Sequence, residues 1–199
     1  MKALWFDSYG DASVLRVAER APPLPLAGEV QLRVHAASIN PLDWKLRAGQ
    51  MRMMVRDGPP RGLGSDFSGV ISAIGEGVTN WRIGEAAFGS LDPWRRQGAF
   101  SEFVTVACQA VTRKPANVSF EEAATLGVAA ATAYQALIDH AHLAAGQTLL
   151  LLGASGGVGS FTLQLARHLG AVVTAVASGA NAAYVTGLGA RRVIDYTTE

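Results

Sequence analysis

The chain has 199 residues, 49% of them hydrophobic and 17% charged, with a formal net charge of +1. This size and apolar content suit one large or two small packed domains and exclude a disordered chain. The near-neutral balance gives no general attraction to nucleic acid or to an acidic membrane, and the pairs Arg95-Arg96 and Arg191-Arg192 read as solvated faces.

The amino terminus, MKALWFDSYG, meets a charge at Asp7 before a signal-peptide core could form. No apolar run reaches membrane-spanning length, about 20 residues. The single cysteine, Cys108, excludes an internal disulfide and a cysteine-rich zinc site, and fits a reducing compartment. A cytoplasmic protein is expected. The surrounding FVTVACQAV is strand-like, which makes Cys108 a small core residue.

Residues 1–118 carry β signals. In EVQLRVHA, Val30, Leu32, Val34 and Ala36 alternate with Glu29, Gln31, Arg33 and His35, the period of a half-buried strand. Turn residues punctuate the short apolar runs at Tyr9-Gly10-Asp11, Pro22-Pro23, Asp57-Gly58-Pro59-Pro60, Gly75-Glu76-Gly77 and Asp92-Pro93. A small barrel of short strands is expected. MRMMVRDGPPRGLG reads as a surface loop whose Met51, Met53 and Met54 either line a pocket or fill a gap.

The character changes at Ser119. SFEE offers a capping box between Ser119 and Glu122, followed by an alanine-rich helix to about Ala145, interrupted near Gly127. TLLLLG then predicts a strand covered on both faces. Residues 157–169 predict a helix with Val158, Thr162, Leu165, Ala166 and Leu169 on one face and Gly170 at its end. AVVTAVA, NAAYVTGLG and RRVIDY complete a β-α-β-α-β order, half of a doubly wound parallel sheet. The expected class is therefore α/β plus β, with domains at 1–118 and 119–199.

Between strand and helix lies GASGGVG. The dinucleotide-binding pattern G-x-G-x-x-G is met here as Ala154-x-Gly156-x-x-Gly159, with Gly153 and Gly157 on either side. In such a turn the first glycine allows the bend, the second the approach of a pyrophosphate, and the third helix-on-strand packing. The helix amides of this segment, Ala154, Ser155, Gly156, Gly157, Val158 and Gly159, are candidates to hold the anion. A glycine trio alone is weak, but the strand before it and the helix and strand after it make it strong. About 20 residues on, where NAD-binding sites usually place an acid, the chain has Ser178, Gly179 and Asn181. Lack of a carboxylate favours NADP, although no lysine or arginine follows at once to grip its extra phosphate. Tyr196, after the third strand, is either a hydrogen-bonding partner of the cofactor or an ordinary strand tyrosine.

ASINPLDWKLRAG, GSDFSGVISAIGEGVTNWRIGEAAFG, GAFSEFVTV, GVAAATAYQAL and GASGGVG succeed one another along the chain. In this the chain resembles, throughout its length, the quinone oxidoreductases of zeta-crystallin type in the medium-chain dehydrogenase/reductase superfamily. The resemblance implies a GroES-like barrel catalytic domain, a Rossmann nucleotide-binding domain, and NADPH-dependent reduction of a small molecule, a quinone or conjugated carbonyl compound. Where zinc-dependent relatives carry the first zinc cysteine this chain has Asn40, and where they carry histidine and glutamate it has Ser65 and Asp66; no metal site is expected. By the same resemblance Asn40 stands beside nicotinamide and substrate oxygen, and Thr132 contacts the cofactor. Asn before Pro41 is also a common turn starter. Asp43 and Lys45 either orient that site or pair at the surface, and Tyr134 reads as core.

A complete doubly wound sheet needs three more β-α units, about 90 residues, so the Rossmann half reads as its N-terminal part. Three readings follow: a fragment of an ordinary reductase; a truncated, non-catalytic nucleotide-binding product; or a structural, crystallin-like protein assembling through an exposed strand edge. The substrate is not fixed by these motifs, and a homodimer is left open.

Overall fold

The computed structural model describes residues 1–55 and 58–198. Arg56 and Asp57, and with them part of the turn expected at Asp57-Gly58-Pro59-Pro60, lie outside the described residues. Two compact units divide the chain, Met1–Val128 and Ala129–Glu199.

The first unit is antiparallel. β1 (Lys2–Phe6) pairs with β2 (Leu15–Glu19) and with the short β4 (Arg61–Gly62). A five-stranded sheet of order β7-β3-β5-β6-β8 joins β3 (Glu29–Ala37), β5 (Asp66–Ile74), β6 (Ala86–Ser90), β7 (Phe103–Ala107) and β8 (Val111–Arg113). Register shifts between β3 and β5 curl this sheet, and the Leu4 amide bonded to the Phe100 carbonyl at 2.7 Å ties the two sheets together. Val30, Leu32, Phe67, Ile71, Trp81 and Val104 form the core.

Several expectations change here. Gln31, placed on the polar face of β3, is buried; its amide reaches the Pro23 carbonyl at 2.5 Å and its oxygen accepts from Ser72 at 2.6 Å, so burial leaves it satisfied. Cys108 is a buried residue but leaves the strand, opening a single 3-10 turn at Cys108–Ala110. Met53 and Met54 do not fill a gap, being 97% and 62% exposed.

The capping box forms: the Ser119 amide donates to Glu122 at 2.8 Å and the Glu122 amide to Ser119 Oγ at 3.1 Å, opening α2 (Phe120–Ala124). Beyond it the chain passes through a π-helical turn at Leu126–Ala130, α3 (Ala131–Tyr134) and a second π-helical turn at Gln135–His140. The expected interruption at Gly127 is a widened turn within a continuing coil rather than a break.

The second unit is parallel, with strand order β11-β10-β9. β9 (Thr148–Leu152), α4 (Gly157–His168), β10 (Val172–Ala177), α5 (Ala182–Leu188) and β11 (Arg192–Asp195) follow the predicted alternation. Leu163, Ala166, Val173, Ala175 and Val185 make its core, with Leu149 and Leu151 packed against it. Among the described residues β9 is covered on one face only: Leu150 and Leu152 are 60% and 71% exposed, against the expectation of two covered faces. The buried stripe of α4 is Gly159, Thr162, Leu163 and Ala166, turned from the predicted one, with Val158 outside. The cause is Gly159, whose backbone lies so close to the carbonyls of Gly153 and Ala154 that it sets the helix rotation.

Candidate functional site

The glycine turn follows from a division of labour among small residues. Gly153 takes the left-handed conformation, φ +65°, which a side chain would strain. The bend that the pattern assigned to position 154 therefore falls one residue earlier. Ala154 is fully buried, its amide bonded to the Val176 carbonyl of β10 at 3.2 Å. Gly156 caps α4 with extended backbone and meets only the Gly153 oxygen, at 3.3 Å from a built Cβ. At Gly159 a Cβ would overlap the Gly153 oxygen and come within 2.7 Å of the Ala154 oxygen. The amides of Gly157, Val158 and Gly159 in the first turn of this 12-residue helix have no intrahelical acceptor, and the helix dipole adds to their positive end.

Beside the turn, one side chain joins the two serines. Asn181 Nδ2 donates to Ser178 Oγ at 3.1 Å and to Ser155 Oγ at 3.3 Å. Each hydroxyl accepts from the amide, which frees its own hydrogen for an outside acceptor. Sequence reading missed Asp195. A Cβ on Gly179 would overlap its carboxylate, and hydrogen bonds from the Thr197 hydroxyl, at 2.7 Å, and amide, at 3.0 Å, hold that carboxyl below its ordinary value. The signal was present as an acid at the end of a predicted strand. Tyr196 is 63% exposed just after β11. Thr132 lies exposed on α3, which packs on α4. Tyr134 is 51% exposed rather than core, because Ala133 and Leu137 take the inward positions.

In the first unit Asn40 caps α1 (Pro41–Arg47), with Pro41 at its first position. The Asn40 amide donates to Asp43 Oδ2 at 2.7 Å, and Asn40 Nδ2 donates to Asp66 Oδ2 at 2.9 Å. Ser38 Oγ reaches the same Asp66 oxygen at 3.1 Å. Asn40, Asp43 and Asp66 are all buried. Burial raises the Asp43 carboxyl above its ordinary value, opposed by the Asn40 amide and reinforced by the charge of Asp66. Lys45 is exposed, its Nζ 5.6 Å from the Trp44 ring centroid, so the alternative of an Asp43–Lys45 surface pair is not what forms. Sequence reading treated Asp66 only as a replaced zinc ligand; an acid inside an apolar strand was the sign that it needs a partner. Among the described residues no group of three or more His, Cys, Asp or Glu is placed to hold a metal ion, and no helix is long and apolar enough to cross a membrane.

A curled antiparallel unit with a capped carboxamide, followed by a βαβαβ unit with a glycine turn, defines a GroES-like domain joined to the first half of a doubly wound sheet. Residues 26–142 match the alcohol dehydrogenase GroES-like domain. The chain belongs to that family, and within the medium-chain dehydrogenase/reductase superfamily it groups with the zinc-independent quinone oxidoreductases. It is 37% identical over 215 residues to the mitochondrial NAD(P)H oxidoreductase RTN4IP1 of Mus musculus, matching 99% of this chain and 54% of that protein. The quinone oxidoreductase of Coxiella burnetii superposes with a TM-score of 0.93 at 34% identity, covering 100% of this chain and 63% of the other. The Escherichia coli quinone oxidoreductase complexed with NADPH gives 0.89 at 28%, covering 100% and 60%. The chain thus spans about half the length of the mouse relative it matches.

Proposed function

We propose that the protein is an NADPH-dependent reductase of quinones or α,β-unsaturated carbonyl compounds. The observation that carries the reading is the junction of the glycine turn with the Asn181-bridged serines. It brings first-turn amides and two free hydroxyl donors to one side of β9 and β10. A dinucleotide fits the turn: a Cβ at Gly156 would meet only the Gly153 oxygen, at 3.3 Å, and the first-turn amides and serine hydroxyls are donors, with the Asp195 carboxylate beside Gly179. Ser155, Gly156, Gly157, Val158 and Gly159 would hold the pyrophosphate, Ser178 the 2′-phosphate with Asn181 orienting its hydroxyl, and Thr132 and Tyr196 further parts of the cofactor. Asp195 stays ionised, with Thr197 bonded to its Oδ1, so its charge beside Gly179 works against a 2′-phosphate and is the feature this reading must overcome.

When bound, the nicotinamide supplies hydride to the acceptor. Asn40 orients and polarises the acceptor oxygen through its carboxamide, Asp43 fixes the Asn40 backbone, and the proton comes from solvent or a nearby side chain. The partner is a small molecule, with neither nucleic acid nor membrane engaged. NADPH oxidation by the full-length protein with and without a quinone tests the reading. Oxidation is expected only with the acceptor, and Asn40→Ala is expected to lower turnover about tenfold or more. An active enzyme whose turnover and Michaelis constant ignore that substitution removes Asn40 from the site.

A second reading, a nucleotide-binding or structural protein without turnover, is favoured by the exposed Leu150 and Leu152 beside a β9 that pairs only with β10 among the described residues. Nucleotide binding without acceptor-dependent oxidation, together with self-association in light scattering, would select it.

A further inference from the structure

Asp66 has no part in the function described so far, yet it is among the most completely buried side chains in the chain. It opens β5, and its backbone carbonyl receives the Ser38 amide at 3.3 Å, which draws the end of β3 and the start of α1 over it. One carboxylate oxygen, Oδ2, accepts from both Asn40 Nδ2 and Ser38 Oγ. The other, Oδ1, has no hydrogen-bond donor among the described residues and lies against Gly127, where any Cβ would overlap it. The carboxylate is therefore wedged between the Gly127 backbone on one side and the Asn40 carboxamide on the other.

A carboxamide has nearly the same shape after a half-turn about its last torsion, so packing alone does not decide which end points where. A carboxylate does decide, because it only accepts. With Nδ2 on Asp66 the pair gains a charge-assisted hydrogen bond; with Oδ1 there, two acceptors would face each other in a buried setting. Asp43 completes the restraint by holding the Asn40 backbone amide. Two carboxylates thus fix one residue, Asp43 its main chain and Asp66 its side chain.

We propose that Asp66 is a positioning residue: by taking one Nδ2 hydrogen of Asn40 it fixes the carboxamide so that the second Nδ2 hydrogen is the donor left for the acceptor oxygen, and so it governs turnover without touching substrate or cofactor. The inference rests on the reading of Asn40 given above. Gly127 is part of the device, since its bare backbone lets Asp66 stand where it does.

The test is steady-state NADPH oxidation with a benzoquinone acceptor by the full-length protein and its variants Asp66→Asn, Asn40→Ala and the double variant, with thermal unfolding alongside. Asp66→Asn keeps the shape but offers a group that can donate or accept, so it releases the choice of flip. It is expected to lower kcat about tenfold while leaving the KM for NADPH within about twofold. Because Asp66 acts through Asn40, the double variant should be no slower than Asn40→Ala alone, again within about twofold. Multiplying effects, or a fall in melting temperature with kcat unchanged, would overturn the proposal and leave a structural carboxylate. If Asn40→Ala is as active as wild type, the role of Asn40 itself fails and the proposal with it. If Asn40→Ala is slow but Asp66→Asn is normal, only the proposal fails. Should Asp66→Asn not fold, side-chain amide exchange by nitrogen-15 NMR of the wild type decides. Asn40 Nδ2 protons protected from solvent are expected, and exchange as fast as in an exposed asparagine overturns the proposal.

Discussion

Replacing Gly156 by alanine adds a methyl group whose one neighbour within 4 Å is the Gly153 carbonyl oxygen, at 3.3 Å. The backbone there is extended, φ −78° and ψ 174°, which any residue adopts. The fold should therefore lose only the difference between glycine and alanine as a helix cap, up to about 1 kcal/mol, or roughly 2–4 °C of melting temperature for a chain of this size. The methyl group would stand where the pyrophosphate must approach the backbone, so NADPH affinity should fall about tenfold or more, near 1.4 kcal/mol. At Gly159 the balance reverses. Its Cβ would sit 2.7 Å from the Ala154 oxygen and closer still to that of Gly153, against ordinary carbon–oxygen contacts of about 3.3 Å. Both obstacles are backbone, so α4 must move by about half an ångström or more, at an overpacking cost of about 1–3 kcal/mol. Thermal unfolding and fluorescence titration of the two variants check this. A Gly156→Ala variant that binds NADPH within twofold of wild type would refute the assignment of that backbone to the pyrophosphate.

Other outcomes follow from the same geometry. Ser178→Asp places a charge beside Asn181 and should lower NADPH affinity about tenfold or more while sparing NADH; equal losses for both nucleotides would remove Ser178 from the 2′-phosphate site. The folded Asp43 carboxyl is raised above its unfolded value, so the native state binds more protons between the two. Stability from this group is present below the unfolded pKa and lost as pH rises through the folded one. Asp43→Asn, which can still accept from the Asn40 amide, should therefore flatten the decline of stability with rising pH in the acid range; chemical denaturation at a series of pH values would show it, and identical slopes would contradict it.

Much of this is readable in the sequence. The βαβαβ order, the Ser119–Glu122 box and the glycine turn are local patterns, fixed by residues within a few positions of one another. The misses share a different cause. Asp43 and Asp66 are separated by most of a loop and meet because α1 and β5 both begin over the same spot, which no periodicity reveals. Gln31 was placed on a solvent face by alternation, but the Pro23 segment covers it. The α4 stripe was displaced because the pattern counted apolar side chains, whereas the closest approach is made by Gly159, which has none. Leu150 and Leu152 read as core from composition, yet burial depends on what lies opposite them, and α4 and α5 cover the other face.

The most direct test of the account is fluorescence titration of the purified chain with NADPH and with NADH. Saturable binding with a clear preference for NADPH is the result this proposal predicts, from the first-turn amides of α4 and the Asn181-bridged serine hydroxyls. Binding of neither nucleotide would contradict it, and the glycine turn would then serve only the packing of α4 on β9.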